Sequence, residues 1–73
     1  MLNKYVKIYC RMEDNLKVQK VVENYVNRGV MMIEADKELV RISFDCSIFK
    51  VNKLIHDVDT LNNIGIKTEI KGA

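Results

Sequence analysis

The side chains best suited to binding a partner alternate along KYVKIYCR, residues 4–11. The polar and aromatic set is Tyr5, Lys7, Tyr9 and Arg11, and the intervening residues are apolar. A period of two places this set on one face of a β-strand. Tyrosine and arginine are enriched in protein interfaces, and aromatic rings beside cations also stack on the bases of single-stranded nucleic acid. The stretch therefore predicts a binding surface.

Side chains that could support catalysis are few. His56 is the single histidine, and no nucleophile accompanies it, so we interpret it as a surface residue. Cys10 has the parity of a core residue. Cys46 stands where a helix is predicted to begin, which would stabilise a thiolate, but no base or resolving cysteine is close in sequence. We therefore expect no enzyme activity, no catalytic residues, no metal site and no cofactor.

The chain is short and ordinary in composition. Its 73 residues are 48% hydrophobic and 30% charged with a net charge of +2, which predicts one domain over residues 1–73. No apolar run approaches the roughly 18 residues that span a bilayer, and charge interrupts the apolar residues of MLNKYVK. Two cysteines do not make a disulfide framework. We expect a cytoplasmic protein that does not enter a membrane.

Hydrophobic periodicity and turn residues predict six elements. The expected helix N-caps are Asp14 or Asn15 and Ser47 or Asp45, and Gly29 and Gly65 are the expected C-terminal stops. The predicted strands cover 4–11, 30–35, 38–44 and 66–71, and the predicted helices cover 16–28 and 48–63.

Two halves of the sequence resemble each other. LKVQKVV (16–22) matches FKVNKLI (49–55), and YVKIYC (5–10) matches LVRISF (39–44). Self-similarity at half the chain length indicates two copies of one supersecondary unit. The order β-α-β-β-α-β with this repeat predicts an α+β, ferredoxin-like two-layer sandwich. Its antiparallel sheet would have the order 4-1-3-2, with both helices on one face because crossovers are right-handed.

This topology divides the strand residues into two sets. It also separates Cys10 from Cys46 by the length of the sheet, which argues against a disulfide or a shared metal site. We term the side away from the helices the open face. The predicted inward set is Val6, Ile8, Cys10, Met31, Ile33, Ala35, Val40, Ile42, Phe44, Ile66, Thr68 and Ile70. The predicted open-face set is Tyr5, Lys7, Tyr9, Arg11, Val30, Met32, Glu34, Leu39, Arg41, Ser43, Lys67, Glu69 and Lys71.

Three interpretations of the open face remain. It is inert, or it contacts a protein partner or a second copy of the chain, or it binds single-stranded RNA or DNA. The RNA-recognition motif has this strand order, but its third-strand aromatic pattern is absent from ELVRISF. We predict a small regulatory or adaptor protein that docks a protein, or forms a homodimer, through the open face or an edge strand. Weak single-stranded nucleic-acid binding is the alternative. The predicted binding residues are Tyr5, Lys7, Tyr9, Arg11, Met32 and Arg41.

Other activities known on this topology need residues that this sequence lacks. Heavy-metal carriers have paired cysteines after the first strand, and sugar-transport phosphocarriers have a histidine at the start of the first helix. Acylphosphatases have a glycine-rich anion loop, and ACT-type ligand domains have a turn of small residues before the first helix. Here the corresponding segment is CRMEDN, which supplies none of these features.

Overall fold

A computed structural model describes residues 2–73, apart from the side chain of Arg28. It contains two α-helices and one antiparallel sheet, so the predicted α+β class is confirmed. A 3₁₀ turn leads into each helix, at Met12–Asp14 and Ile48–Lys50. No helix of residues 2–73 is long and apolar enough to cross a membrane. The elements are β1 (Asn3–Arg11), α1 (Asn15–Val22), β2 (Val26–Asp36), β3 (Leu39–Ser47), α2 (Val51–Asn63) and β4 (Thr68–Lys71).

The sheet is built around the pairing of β1 with β3. This ladder runs without interruption from Asn3 opposite Ser47 to Arg11 opposite Leu39. The complete strand order is β2-β3-β1-β4, so β2 and β4 are the edges. The backbone N–H of Ile48 donates to the carbonyl of Leu2 over 2.7 Å and extends the contact past the strand ends.

One face of the sheet packs against both helices. Alternate residues of β1 and β3 are buried, and they belong to one cluster with the apolar stripes of α1 and α2. Cys10 is among them, as the sequence predicted. The buried members are Val6, Ile8, Cys10, Val18, Val22, Tyr25, Val40, Ile42, Phe44, Cys46, Val51, Leu54, Val58, Leu61 and Ile66.

The first helix is shorter than predicted. It ends at Val22, and the amide of Tyr25 donates to the carbonyl of Val22 over 2.8 Å in the following turn. The prediction of helix to residue 28 is wrong because residues 24–27 are weak helix formers, and the chain turns at 23–25 and enters β2 at Val26 instead. Val26 stands opposite Cys46 of β3.

A bulge interrupts β2 where the helix stop was predicted. Val26 is opposite Cys46 and Met31 is opposite Phe44, so residues 27–30 all stand opposite the single residue Asp45. Gly29 has φ +67°, which a residue with a Cβ rarely adopts. Gly29 therefore allows a bulge within a strand and does not terminate a helix.

The second helix ends as the sequence predicts. Gly65 has φ +91°, its amide donates to Asn62, and the amide of Ile66 donates to Leu61 over 3.0 Å. These two bonds form a Schellman motif, with Ile66 packed into the core beside Leu61. The amide of Thr68 donates to Oδ1 of Asn62 over 2.8 Å, and β4 begins there instead of at residue 66.

The predicted N-caps form no side-chain cap hydrogen bonds. Asp14 occupies the N-cap position of α1, and Ser47 precedes the 3₁₀ turn that leads into α2. Neither side chain bonds the helix backbone. The 3₁₀ turns supply the entry to each helix, so α2 begins at Val51 and not at Ile48.

Two residues of β2 lie on the predicted inward side, but the expectation that they pack against a helix is wrong. Ile33 is opposite buried Ile42, so its side chain is on the helix side, yet it is 45% exposed. Ala35 is also exposed, whereas Met31 packs at the margin of the core. With only eight residues, α1 does not cover the outer half of the edge strand.

The paired residues Ile42 and Ile33 provide a matched test of this packing. We predict that Ile42→Ala lowers the free energy of unfolding by about 2–4 kcal/mol, because it leaves a cavity in the core. Ile33→Ala should cost less than about 1 kcal/mol because its side chain is half exposed. Urea unfolding of both variants measures the difference, and equal losses would contradict the assigned core.

Candidate functional site

All six predicted binding residues lie on the open face. Tyr5, Lys7, Tyr9 and Arg11 alternate with buried residues of β1, which places them on the side away from the helices. Met32 is opposite Ser43 in β3, and Arg41 is opposite Tyr9. The ladder registers thus bring side chains from three strands onto one surface.

One row across the open face contains three charged side chains and one tyrosine. It runs Glu34, Arg41, Tyr9, Glu69 through four strands. The Arg41 guanidinium donates to Glu34, and this hydrogen bond, with a smaller contribution from Tyr9, raises the pKa of Arg41. Lys71 Nζ lies 5.3 Å from the centroid of the Tyr9 ring and 3.7 Å from Glu69 Oε1. Tyr9 is therefore held between two cations that acids already neutralise.

The neighbouring part of the open face carries exposed apolar side chains, with Asn27 and Asp45 beside them. Tyr5, Val30 and Met32 are 50%, 66% and 55% exposed, and they border a shallow depression. Ser43 lies between Lys7 and Met32 and is buried by its neighbours. The bulge in β2 places Val30 beside this region. We call Tyr5, Val30 and Met32 the apolar patch.

Most bases of the open face already have acidic partners. Arg41 pairs with Glu34, Lys71 with Glu69, and Arg11 Nη1 lies 3.5 Å from Glu13 Oε1. The strands place four basic side chains on the open face, and only one of them, Lys7, forms no ion pair with a described side chain. The face is thus close to electrically neutral at short range, although the chain is basic overall.

The groups that could react are buried or isolated. Burial raises the pKa of Cys10, with the nearby Asp14 adding to the effect. Burial also raises the pKa of Cys46, against a smaller lowering by Lys50, so the predicted helix-start stabilisation of its thiolate does not prevail. His56 lies exposed on α2. Among the described residues, no group of three or more His, Cys, Asp or Glu side chains could hold a metal ion.

Two features were not anticipated from the sequence. The Tyr25 hydroxyl donates to the Asp57 carboxylate of α2, from a turn that had been assigned to a helix. Phe49 is 79% exposed on the 3₁₀ turn before α2, close to exposed Ile48. The sequence gave no signal of either feature. Tyr25 fits the apolar stripe of a helix, and Asp57 lies 32 residues further along the chain.

No protein-family model matches the chain, and no curated protein matches it. Among solved structures, it is similar to the solution NMR structure of the ACT domain from GTP pyrophosphokinase of Chlorobium tepidum. The TM-score is 0.63 at 12% identity, over 100% of this chain and 91% of that one. At this identity the likeness shows the fold, which is ACT-like. In this chain the segment after β1 is the 3₁₀ turn of Met12, Glu13 and Asp14.

The contact between Tyr25 and Asp57 predicts a pH dependence. Burial, then the hydrogen bond to Asp57, raises the pKa of Tyr25 to about 12 from 10.0. The unfolded chain loses this proton first, so the contribution to stability is complete below pH 10.0 and is lost as pH rises to about 12. We expect Tyr25→Phe to cost about 1–2 kcal/mol at neutral pH.

The measurement is urea unfolding of the wild type and Tyr25→Phe from neutral pH to pH 12. Their difference in stability should shrink across the alkaline range, since the variant lacks the titrating group. Tyr5→Phe, at an exposed position, serves as the control. A difference that stays constant with pH would show that the hydroxyl does not donate to Asp57.

Proposed function

We propose that this chain is a non-enzymatic regulatory or adaptor domain that contacts a protein through its open face. The observation that carries the proposal is the apolar patch, which stands exposed beside the neutralised row of Glu34, Arg41, Tyr9 and Glu69. An apolar centre with paired charges around it matches the composition of protein interfaces, in which Tyr, Met and Arg are enriched.

The roles we assign follow from position. Tyr5 and Met32 would be buried against the partner and supply apolar contact area. Tyr9 lies opposite Arg41 and within 5.3 Å of Lys71 Nζ, so its ring would contribute contact area between two cations. Arg11 and Lys7 lie along β1 beside these residues and would form the polar surroundings.

The fold is compatible with a regulatory domain. The ACT domain of similar structure is part of a GTP pyrophosphokinase, so a unit of this shape also occurs within an enzyme chain. We infer that the present chain likewise acts on a larger partner and performs no reaction itself. The buried thiols and the isolated histidine support this inference, because neither is accompanied by a second catalytic group.

Binding of single-stranded nucleic acid is the less favoured alternative. Phosphates need free cations, and three of the four basic side chains that the strands place on the open face already pair with acidic side chains. A nucleic acid would have to separate Arg41 from Glu34 before using it. Among the described strand residues, only those of β1 supply aromatic rings to the open face. Successive nucleobases could therefore stack on one strand and not across the sheet.

The test compares tyrosines of the open face with an exposed aromatic residue outside it. The wild-type chain is immobilised on a resin and incubated with native lysate that has or has not been treated with nuclease. The captured proteins are then identified. Tyr5→Ala and Tyr9→Ala should each weaken capture at least about fivefold, since a buried interface tyrosine that contributes more than about 1 kcal/mol loses at least that factor when truncated. Phe49→Ala, equally aromatic and 79% exposed, should leave capture unchanged.

Direct titration of a labelled oligonucleotide separates the two functions. If the basic side chains of Lys7, Arg11, Arg41 and Lys71 bound phosphates, raising the salt concentration from 50 to 200 mM would weaken binding by about 20- to 50-fold. We expect no specific binding at either concentration. Steep salt dependence, together with capture that nuclease abolishes, would replace the protein-binding proposal with the nucleic-acid one.

A further inference from the structure

The outer edge of β2 differs from the other edge of the sheet. β4 has only four residues, and the charged side chains of Glu69 and Lys71 flank it. β2 has eleven residues, and its regular part beyond the bulge, 31–36, has acids only at Glu34 and Asp36. Charged and very short edges resist pairing with another chain, whereas long apolar edges favour it.

Both sides of this edge carry exposed apolar groups. Met32 is exposed on the open face, and Ile33 is 45% exposed on the helix side, where no helix covers it. The backbone of β2 is paired on the β3 side alone, because β2 is the end strand of the sheet. An added strand would pair this backbone and cover Ile33 in one step.

We propose that the added strand is β2 of a second copy, antiparallel, about a twofold axis at Ile33. This inference rests on the proposed function in treating the chain as an interaction module, but it uses the outer edge of β2, which shares only Met32 with the apolar patch. An axis perpendicular to the sheet joins the two sheets into one of eight strands. Both open faces then point to the same side and stay accessible to a partner.

Like-charge repulsion and the bulge together select the register. An axis at Glu34 would place Glu34 opposite Glu34 of the second copy. An axis at Ala35 would place Glu34 opposite Asp36 of the second copy. An axis at Met31 or Met32 would require residues of the bulge, 27–30, to pair. With the axis at Ile33, the regular residues Met31–Ala35 pair throughout.

This register gives an apolar helix-side seam. Ile33 meets the same residue of the second copy, and each Met31 is opposite an Ala35. On the open face, Met32 is opposite Glu34, which keeps its own Arg41 as a partner. Every exposed apolar side chain of the regular edge thus acquires a neighbour, and no two acids stand directly opposite.

The first test is the solution mass of the full chain by light scattering at about 100 µM, since a dimer dissociates on dilution. We expect about twice the 8.5 kDa chain mass for the wild type, and a monomer for Ile33→Lys. Leu16→Lys, which alters an exposed residue of α1, is the control and should remain dimeric. A monomeric wild type, or a dimeric Ile33→Lys variant, overturns the inference.

The second test fixes the register by oxidation. Residues directly opposite in an antiparallel pair have Cα atoms about 4.5–5.5 Å apart, within disulfide range. Ile33→Cys should therefore form a covalent dimer, whereas Met31→Cys, four residues out of register with its own copy, should not. The wild type is the background control, since Cys10 and Cys46 are buried. Cross-linking at 31 and not at 33 overturns the register.

The two proposals fail separately. If Tyr9→Ala abolishes the dimer and Ile33→Lys does not, self-association uses the open face, and the edge inference is wrong while the proposed function stands. If Ile33→Lys abolishes the dimer and Tyr5→Ala and Tyr9→Ala leave partner capture intact, the edge inference stands and the proposed function is wrong.

Discussion

The uninterrupted pairing of β1 with β3 is the constraint on which the rest of the structure depends. It places Val6 opposite Phe44 and Ile8 opposite Ile42, which builds the floor of the core. The same ladder places Tyr9 opposite Arg41 on the other side of the sheet. A slip of one residue would move every one of these side chains to the wrong face. Burial of the core therefore sets the register, and the register determines which side chains lie on the open face.

The open face combines two properties that favour a protein partner. Its apolar patch lacks a covering element among the described residues, and its charges are largely satisfied within the face. Desolvating a charge that already has a partner costs less than desolvating a lone one. The surface can therefore be buried against a protein without leaving many ions unpaired. The uncovered edge of β2 is the surface on which we propose self-association, and it shares only Met32 with the apolar patch.

Sequence patterns predicted the parts of the fold that local rules determine. The alternation in β1 and β3 identified six core residues, because the helices cover that side of both strands, but it missed Cys46, since β3 was predicted to end at residue 44. The six are Val6, Ile8, Cys10, Val40, Ile42 and Phe44. Gly65 marked the end of α2, since a Schellman turn needs a residue with positive φ. The placement of all six binding residues on one face follows from the same alternation, although their role in binding stays a prediction.

Tertiary competition explains what the sequence could not predict. Tyr25 and Val26 continue the apolar period of α1, but the hydrogen bond to Asp57 and the ladder to Cys46 hold them outside the helix. Gly29 fits a helix stop as well as a strand bulge, and only the pairing of β2 distinguishes the two. Ile33 has the parity of a core residue, and its exposure depends on the length of a helix in another part of the chain.

The sidedness of β1 is the central claim, and thiol labelling in dilute solution tests it most directly. Tyr5→Cys places a thiol on the open face, five residues from native Cys10 on the buried face of the same strand. We expect fast labelling at position 5 and protection of Cys10 until the chain unfolds. Protection of both thiols, or equal labelling of both in the folded chain, would contradict it.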